Sequence, residues 1–256
     1  MSSDIAAGVA PRPSAPFAPY HKFDRNFFIT YVVLIWIGVL MGFVPEMIQH
    51  VATHETPYPL IVHFHAVAFF GWLAVLTAQV LLIRTRRHDL HFRLGAAAMV
   101  LAAAMVVLGP ATAIVVARAK FGTPDSDPSF LSVQLTDILS FAVLASGAFL
   151  NRGNPPAHKR LILLATLYIS DAGFARWLGG GVHAMFGDGF WPTLAGLYFG
   201  NDILILGMGA YDLATRRRFH PVYLPAIAWI AISQLSAVLL YGSGFWKPVA
   251  LKLIGH

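Results

Sequence analysis

The stretch LIVHFHAVAFFGWLAVLTAQVLLIRTRR, residues 60–87, decides the fold, because a long apolar run ends abruptly in a group of arginines. A helix needs about 20 mostly apolar residues to cross the hydrocarbon core of a bilayer. The run that ends at Ile83 meets this length, and arginines directly after such a run are typical of the end of a transmembrane helix. The sequence therefore predicts a membrane-spanning helix in this region.

Six further apolar segments resemble this one in length and composition. The seven segments cover residues 27–47, 59–83, 94–117, 130–150, 161–178, 191–213 and 222–241. The mean hydropathy is +0.65 and only 12% of the residues are charged, whereas about a quarter are charged in a typical soluble domain. We predict an all-α polytopic membrane helix bundle with seven transmembrane helices. A mobile cytoplasmic tail is predicted at residues 1–26 and the transmembrane domain at residues 27–256.

The basic residues are concentrated on one side of the predicted bundle. The tail and the loops at 84–93, 152–160 and 216–218 together hold 13 of the 18 Lys and Arg residues. Lys and Arg are retained on the cytoplasmic side during insertion, so we predict a cytoplasmic N-terminus, a periplasmic C-terminus and a bacterial inner-membrane location. These cations lie in short loops and not on a continuous face, which favours the lipid bilayer as the partner and argues against nucleic acid.

The three basic loops share a pattern in which basic residues are accompanied by a histidine near the start of the next helix. These histidines are His91, His158 and His220. The pattern indicates hairpin repeats made of helices 2–3, 4–5 and 6–7. Loops of this kind also arise independently under the positive-inside rule, so both explanations stay open.

Ionisable residues inside the predicted helices are the candidates for function, because a charged side chain at the bilayer centre costs about 2.5 to 3.5 kcal/mol. The fourth to sixth segments carry Asp137, Asp171, Arg176 and Asp202 in their outer halves, and the second segment carries His65. Residues three, four or seven positions apart share one face of a helix. This spacing, together with sequence proximity, adds neighbouring polar and aromatic residues. The predicted ligand-binding residues are Asp137, Asn201, Tyr198, Trp72 and Gln79.

These residues predict a polar pocket that opens to the outer side. Asp171, Asp202 and His65 are expected to act as acid, base or metal ligands, and Arg176 is expected to hold an anionic group or set the aspartate charges. The cofactor is unknown, with a metal or haem as alternatives. An equal alternative is a structural clamp, in which Arg176 pairs with Asp171 or Asp202 and polar groups only hold the helices together. Whether the protein is an enzyme stays open.

A haem bound within a helix bundle requires two histidines on facing helices at one depth. No predicted helix has a histidine near its middle, so the haem alternative depends on two of His91, His158 and His220 near the cytoplasmic surface. The same three residues suit helix starts beside lipid phosphates. The chain has no cysteine, which excludes covalent haem attachment through thiols.

Four stretches carry a family resemblance: HFHAVAFFGWLAVLTAQVLL (63–82), HFRLG (91–95), HKRLILLAT (158–166) and YDLATRRRFHP (211–221). They resemble an uncharacterised bacterial family of multi-pass, seven-helix membrane proteins of unknown function, which is distantly reminiscent of the b-type membrane cytochromes. The resemblance covers most of residues 27–241. It implies a bacterial inner membrane and a link to redox or cofactor chemistry, and it carries no catalytic residue.

Three functional hypotheses follow from the sequence. The first is an integral inner-membrane protein whose outer-leaflet polar pocket binds a metal or a small lipophilic, quinone-like ligand in a redox-linked role. The second is a non-catalytic accessory or structural subunit of a larger membrane complex. The third is a transporter, although the sequence shows no pair of interrupted helices in corresponding positions.

Overall fold

The computed structural model describes residues 17–53 and 57–256, and this part of the chain forms nine α-helices and one 3-10 turn, with no β-strand. The helices are α1 (Asp24–Ala52), α2 (Leu60–Arg84), α3 (His88–Lys120), α4 (Leu131–Leu150), α5 (Pro155–Ile169), α6 (Asp171–Phe186), α7 (Phe190–Arg216), α8 (Tyr223–Tyr241) and α9 (Trp246–Ile254). The 3-10 turn, Pro128–Phe130, leads directly into α4.

The long helices have the length and composition of membrane spans. Within the described residues, six helices qualify, or seven when the bent pair α5 and α6 counts as one span. Only 22% of the most apolar windows of α2 and α3 is buried inside the bundle. Apolar surface of this extent on the outside of a bundle requires lipid around it. The predicted polytopic, all-helical membrane bundle is therefore confirmed.

The fifth predicted segment, 161–178, is not one straight helix. It is divided between α5 and α6, whose axes differ by 53°. At the break, the Ser170 hydroxyl donates a hydrogen bond to the Thr166 carbonyl at 2.7 Å, and the Asp171 carboxylate accepts one from the Ala172 backbone N–H at 2.6 Å. Such local side-chain bonds compete with the helical ladder and bend it. The break places Asp171 at the first position of α6.

The glycine-rich segment 179–190 continues α6 as far as Phe186. Glycines let α6 approach its neighbours closely, as small residues do in membrane helix pairs. A Cβ atom at Gly173 would lie 2.7 Å from the Val39 Cα of α1, and one at Gly179 would lie 2.8 Å from the Gly196 carbonyl oxygen of α7. Backbone contact with two helices therefore fixes the position of α6.

The two ends of the bundle differ in chemistry. One end, here called the basic end, carries the loops at 85–87, 151–154 and 217–222. The other, the glycine end, carries the loops at 121–127 and 187–189, where Gly187 and Gly189 have positive φ angles of 74° and 131°. The start of α1 lies at the basic end, and α9 lies at the glycine end, where Trp246 Nε1 donates to the Ser129 carbonyl at 2.9 Å. An odd number of spans therefore separates the start of α1 from α9.

The chain before α1 is in contact with the basic end. The Phe17 ring lies 4.7 Å from the Arg160 guanidinium carbon and 4.7 Å from the His220 ring centroid. Arg216 Nε donates to the Ala18 carbonyl at 3.0 Å. Residues 17–23 thus lie against the bundle, and α1 begins at Asp24, inside the predicted 1–26 tail. The remainder of the predicted tail, residues 1–16, lies outside the described residues.

Candidate functional site

Two aspartates and a tyrosine, from α4, α6 and α7, lie together inside the bundle. The carboxyl groups of Asp137 and Asp171 lie close to each other, and the Tyr198 hydroxyl donates a hydrogen bond to Asp137 Oδ1 at 3.1 Å. Tyr198 is fully buried and Asp171 nearly so. Two carboxyl groups that lie close together in a buried place cannot easily both be charged, because like charges repel and burial penalises each charge. The pair is therefore a candidate site for binding a proton inside the bundle.

A second tyrosine and two serines lie beside this pair. The hydroxyls of Ser140 and Ser233 are 2.5 Å apart and join α4 to α8. Tyr168 is only 1% exposed, and its hydroxyl lies close to these serines and to Asp137. Among the described residues it has no partner at hydrogen-bonding geometry. A buried hydroxyl of this kind offers an unused donor and acceptor to whatever enters the site.

A third aspartate and an asparagine extend the group along α7. Asp202 accepts a hydrogen bond from Gln234 Nε2 at 2.8 Å and interacts electrostatically with Asp171. Asn201 is 1% exposed, and neither side-chain Oδ1 nor Nδ2 has a partner within the described chain. We call this group the acidic cluster; it consists of Asp137, Tyr168, Asp171, Tyr198, Asn201 and Asp202.

A cleft opens above the acidic cluster at the glycine end. Its volume is about 390 Å³, and its lining includes Phe130, Ala175, His183, Asp188, Leu197 and Tyr241. Ala175 lies one turn after Asp171, about 6 Å along α6 at 1.5 Å per residue, and Leu197 precedes Tyr198 on α7. Three helices that line the cleft, α6, α7 and α8, carry Asp171, Tyr198 and Ser233, and Phe130 lies in the 3-10 turn that leads into α4. The cleft therefore opens at the glycine end of helices that carry the cluster.

Below the acidic cluster, the facing sides of α5 and α7 are apolar. The residues concerned are Leu163, Leu164, Leu167, Ile205 and Met208, all of them 3% exposed or less. Asn201 and Asp212 stand at the two ends of this stretch on α7, about 16 Å apart along the helix. We call this region the apolar band.

Arg176 lies outside the acidic cluster. Its Nε is 2.6 Å from Glu46 Oε2 on α1, and both side chains are about half exposed. The arginine interacts with Asp171 electrostatically but pairs with neither Asp171 nor Asp202. Sequence reasoning missed Glu46 as a partner, because it lies near the end of a different helix.

The structure places His65 against an aromatic ring. Its ring stacks on Phe69 at a centroid distance of 4.0 Å, and its buried Nδ1 has no hydrogen-bond partner in the part of the chain described. Asp171 and Asp202 share the acidic cluster, whereas His65 bonds to neither. Across residues 17–53 and 57–256, no three or more His, Asp or Glu side chains are grouped so that they could hold a metal ion.

Two of the predicted ligand-binding residues connect helices. Trp72 Nε1 donates to Thr166 Oγ1 of α5 at 2.9 Å, and Gln79 Nε2 donates to the His91 carbonyl of α3 at 3.2 Å. Both contacts tie α2 to a neighbour. Trp72 already uses its only donor, so it has no further hydrogen bond to offer a ligand.

The three histidines of the basic loops have different surroundings. The rings of His91 and His158 meet edge to face, with centroids 6.4 Å apart, and His158 Nδ1 lies 2.8 Å from the Ala148 carbonyl in the last turn of α4. His220 lies instead against Phe17. Haem ligation by two of the three stays a prediction, and His91 and His158 are the two that come together.

Burial lowers the pKa of the His220 ring from 6.5 to about 4. Nearby Arg160, Lys159 and Arg216 act in the same direction, whereas Asp212 opposes them. Desolvation disfavours the charged imidazolium, and the three cations repel it. His220 is therefore neutral at pH 7.

Sequence reasoning also missed a charged layer at the basic end. Arg160 Nε donates to Asp212 Oδ2 at 2.7 Å, and a second guanidinium nitrogen bonds to Asp212 Oδ1. Asp24 accepts from Lys159 Nζ at 2.8 Å and from Arg216 at 2.8 Å. We call these five residues the ionic layer. The sequence signal for the ionic layer lies in the 158–160 and 211–216 motifs. Membrane topology alone also explains the basic residues of these motifs, because they are predicted to lie in or beside loops.

Comparison with known protein families, with curated proteins and with solved structures finds no match to this chain.

Proposed function

We propose that this integral multi-pass membrane protein binds a small lipophilic, quinone-like molecule in the outer half of a bacterial inner membrane, in a redox-linked role. The ligand enters through the cleft at the glycine end and hydrogen bonds to the acidic cluster. The carboxyl pair of Asp137 and Asp171 exchanges a proton with it.

The orientation is supported by charge. Most of the Lys and Arg residues, 13 of 18, lie in the N-terminal region, in the loops of the basic end and in the helix ends beside these loops. Cations in short loops are retained in the cytoplasm, so the basic end faces the cytoplasm and the glycine end faces the periplasm. The cleft then opens on the periplasmic side.

The observation that carries the proposal is the buried group of Asp137, Asp171 and Tyr198, in which Tyr198 hydrogen bonds to Asp137 and two members lie on helices that line the cleft. A quinone offers two carbonyl acceptors, and its reduced form offers two hydroxyl donors. A protonated carboxyl or a tyrosine hydroxyl donates to the first form, and a carboxylate accepts from the second. A carboxyl pair that shares one proton can therefore serve both forms, which is what proton transfer coupled to a redox step needs.

The test measures binding of decylubiquinone to the purified protein in detergent. The readout is quenching of the fluorescence of the protein's six tryptophans. We expect saturable quenching in the wild type. Asp171→Asn and Asp137→Asn should each weaken binding by about tenfold, because each removes a hydrogen bond to a charged or proton-sharing group. Asp125→Asn, in the exposed loop before α4, is the matched control and should bind like the wild type. Equal binding by all four proteins would refute the proposal.

The accessory-subunit hypothesis is favoured by the bonds between helices around the acidic cluster, such as Ser140 to Ser233 and Gln234 to Asp202. In that function the polar groups only hold the helices together. Asp171→Asn should then lower thermal stability or assembly of the complex without any change in ligand binding. An absorption spectrum with elemental analysis of the purified protein tests the metal and haem alternatives in the same preparation.

A further inference from the structure

We infer that the ring of the ligand carries a hydrogen-bond donor, such as an amino group, next to one of its carbonyl groups, and that Asn201 binds this edge. Asn201 thereby selects among neutral quinones of similar size. This role rests on the proposed function and narrows its ligand class.

Asn201 continues the face of α7 that lines the cleft. Leu197, four residues earlier, belongs to the lining, and residues four positions apart share one face of a helix. On α6, which packs against α7, the same spacing leads from Ala175 in the lining to Asp171. Each step is about 6 Å along the helix. Going down from the cleft, the next position on the same face is therefore an amide on α7 and a carboxyl group on α6.

The Asn201 side chain is buried and its polar atoms are unused. The residue is 1% exposed, and neither Oδ1 nor Nδ2 makes a hydrogen bond to any residue that the structure describes. A buried polar group without a partner is costly, and the large majority of such groups in proteins have one. An amide with both atoms unpaired therefore indicates that a molecule from outside the chain supplies both hydrogen bonds.

An amide presents two different groups side by side. Its nitrogen donates and its oxygen accepts, and reversal of the amide exchanges their places without changing this pairing. A plain quinone edge offers only a carbonyl acceptor, so it satisfies the nitrogen and leaves the oxygen unpaired. An edge with an amino group beside the carbonyl supplies an acceptor and a donor together. Asn201 therefore favours an aminoquinone-type edge over an unsubstituted or alkylated one.

The neighbouring polar groups do not impose this choice. The Tyr168 hydroxyl, which is also buried and unpaired within the described chain, rotates freely enough to serve as donor or acceptor. The Asp171 carboxyl group likewise donates or accepts, according to whether it holds a proton. Both groups suit the carbonyls that every quinone has. Asn201 differs because its donor and its acceptor are fixed to each other.

The cleft suits a neutral ligand of this kind. Its volume of about 390 Å³ lies within the range of about 300 to 1,000 Å³ that is typical of small-molecule pockets. Apolar side chains of Phe130, Ala175 and Leu197 contribute to its lining. An amino group conjugated to a quinone carbonyl stays uncharged near neutral pH. It therefore adds a donor without the cost of burying a charge.

The experiment compares two neutral probes of nearly equal size, menadione and its amino analogue, in which an amino group replaces the ring methyl group. Only the analogue has a donor beside its carbonyl. Equilibrium dialysis measures the binding of each probe to the whole protein in nanodiscs, and empty nanodiscs correct for partition into lipid. We expect the wild type to bind the amino analogue at least about tenfold more tightly, because menadione leaves the Asn201 oxygen unpaired.

Variants show whether Asn201 is responsible. Asn201→Leu nearly keeps the size of the side chain but removes both polar atoms, so the affinities for the two probes should become similar. Tyr168→Phe removes a hydroxyl that serves both probes and should preserve their ratio. Asn151→Leu is the matched control, because Asn151 Nδ2 already donates to the Gly147 carbonyl at 2.8 Å at the basic end; it should alter neither affinity. Thermal unfolding followed by tryptophan fluorescence verifies that each variant is folded.

The outcomes distinguish the inference from the proposed function. Equal affinities of the wild type for the two probes would overturn the role of Asn201 and leave the quinone site in place, and this comparison needs no variant to fold. Binding of decylubiquinone alone would likewise overturn only the inference, whereas binding of none of the three molecules would overturn both. A preference for the amino analogue that persists in Asn201→Leu would place the partner of the donor elsewhere and equally overturn the inference.

Discussion

Arg160 and Asp212 form a fully buried ion pair that joins α5 to α7 at the basic end. The Arg160 guanidinium also donates to the Pro156 carbonyl at 2.8 Å, and its face is covered by the Phe17 ring. Every side of the charge is therefore occupied by the protein. A buried charge that loses its partner is far more costly than an exposed one.

Asp212→Asn should strongly destabilise the protein, by about 3 to 5 kcal/mol, because it leaves the Arg160 charge buried without its partner. The double variant Arg160→Met with Asp212→Leu should recover much of this loss, since neither charge remains. The exposed pair Arg87 and Asp89, at 3.7 Å, provides the control, and Asp89→Asn should change stability by less than about 0.5 kcal/mol. Thermal unfolding in detergent, followed by tryptophan fluorescence, is the measurement. Equal effects of Asp212→Asn and Asp89→Asn would contradict the buried pair.

The stability of the protein should fall as the pH is lowered from 6.5 towards 4. Burial lowers the pKa of His220 to about 4, so in this range the unfolded chain takes up a proton that the folded chain does not. This loss of stability is absent above about pH 6.5 and complete below about pH 4. His220→Gln should reduce the slope of unfolding temperature against pH, whereas His88→Gln at the exposed start of α3 should leave it unchanged. An unaltered slope in His220→Gln would show that other groups cause the pH dependence.

Gly42→Ala should displace α6 from α1, because the new Cβ would overlap the Gly173 carbonyl group. An overpacked helix interface typically costs about 1 to 3 kcal/mol. At Gly71, no described atom lies within 4 Å of the position that a new Cβ would take, so Gly71→Ala should be neutral or slightly stabilising through its helix propensity. Unfolding temperatures of the two variants in one detergent provide the comparison, and similar values would argue against the close contact.

Trp72→Phe should lower stability by about 1 kcal/mol, through loss of the hydrogen bond to Thr166. It should leave the binding of decylubiquinone to the acidic cluster unchanged, because the indole N–H already donates a hydrogen bond within the bundle. Trp191→Phe, at an exposed position near the start of α7, should affect neither property. A loss of decylubiquinone affinity in Trp72→Phe, at unchanged stability, would show that this residue belongs to the ligand site.

The spans can be predicted from the sequence because their signal is local. Length and apolar composition of a segment decide whether it crosses a bilayer, and each of α1 to α4, α7 and α8 follows from its own residues. The break at Ser170 is harder to predict from the sequence, since Ser and Thr also occur in straight helices. Its bend depends on which hydroxyl bonds to which carbonyl. The helical path through residues 179–186 depends on packing against α7, which glycine content alone does not show.

Partner choice is the part that sequence could not supply. The aspartates 137, 171 and 202 lie at similar depths in the sequence prediction, and the structure brings them together. Arg176 lies in the same outer half, yet it pairs with Glu46 from α1. Likewise, Lys159 and Arg216 are loop cations by topology, whereas their contact with Asp24 depends on how α1, α5 and α7 are arranged around one another. Such pairs are properties of helix orientation, which one sequence does not encode locally.

The apolar band has an electrical consequence. A transmembrane voltage falls mainly across the driest part of a protein, and moving one elementary charge through 100 mV corresponds to about 2.3 kcal/mol. Leu164, Ile205 and Met208 form that insulating part. A charge that reaches Asp171 from the cleft does not pass the apolar band, so it crosses only a small part of the transmembrane voltage. The occupancy of Asp171 by such a charge should thus depend on the solution on the cleft side and hardly on the membrane potential.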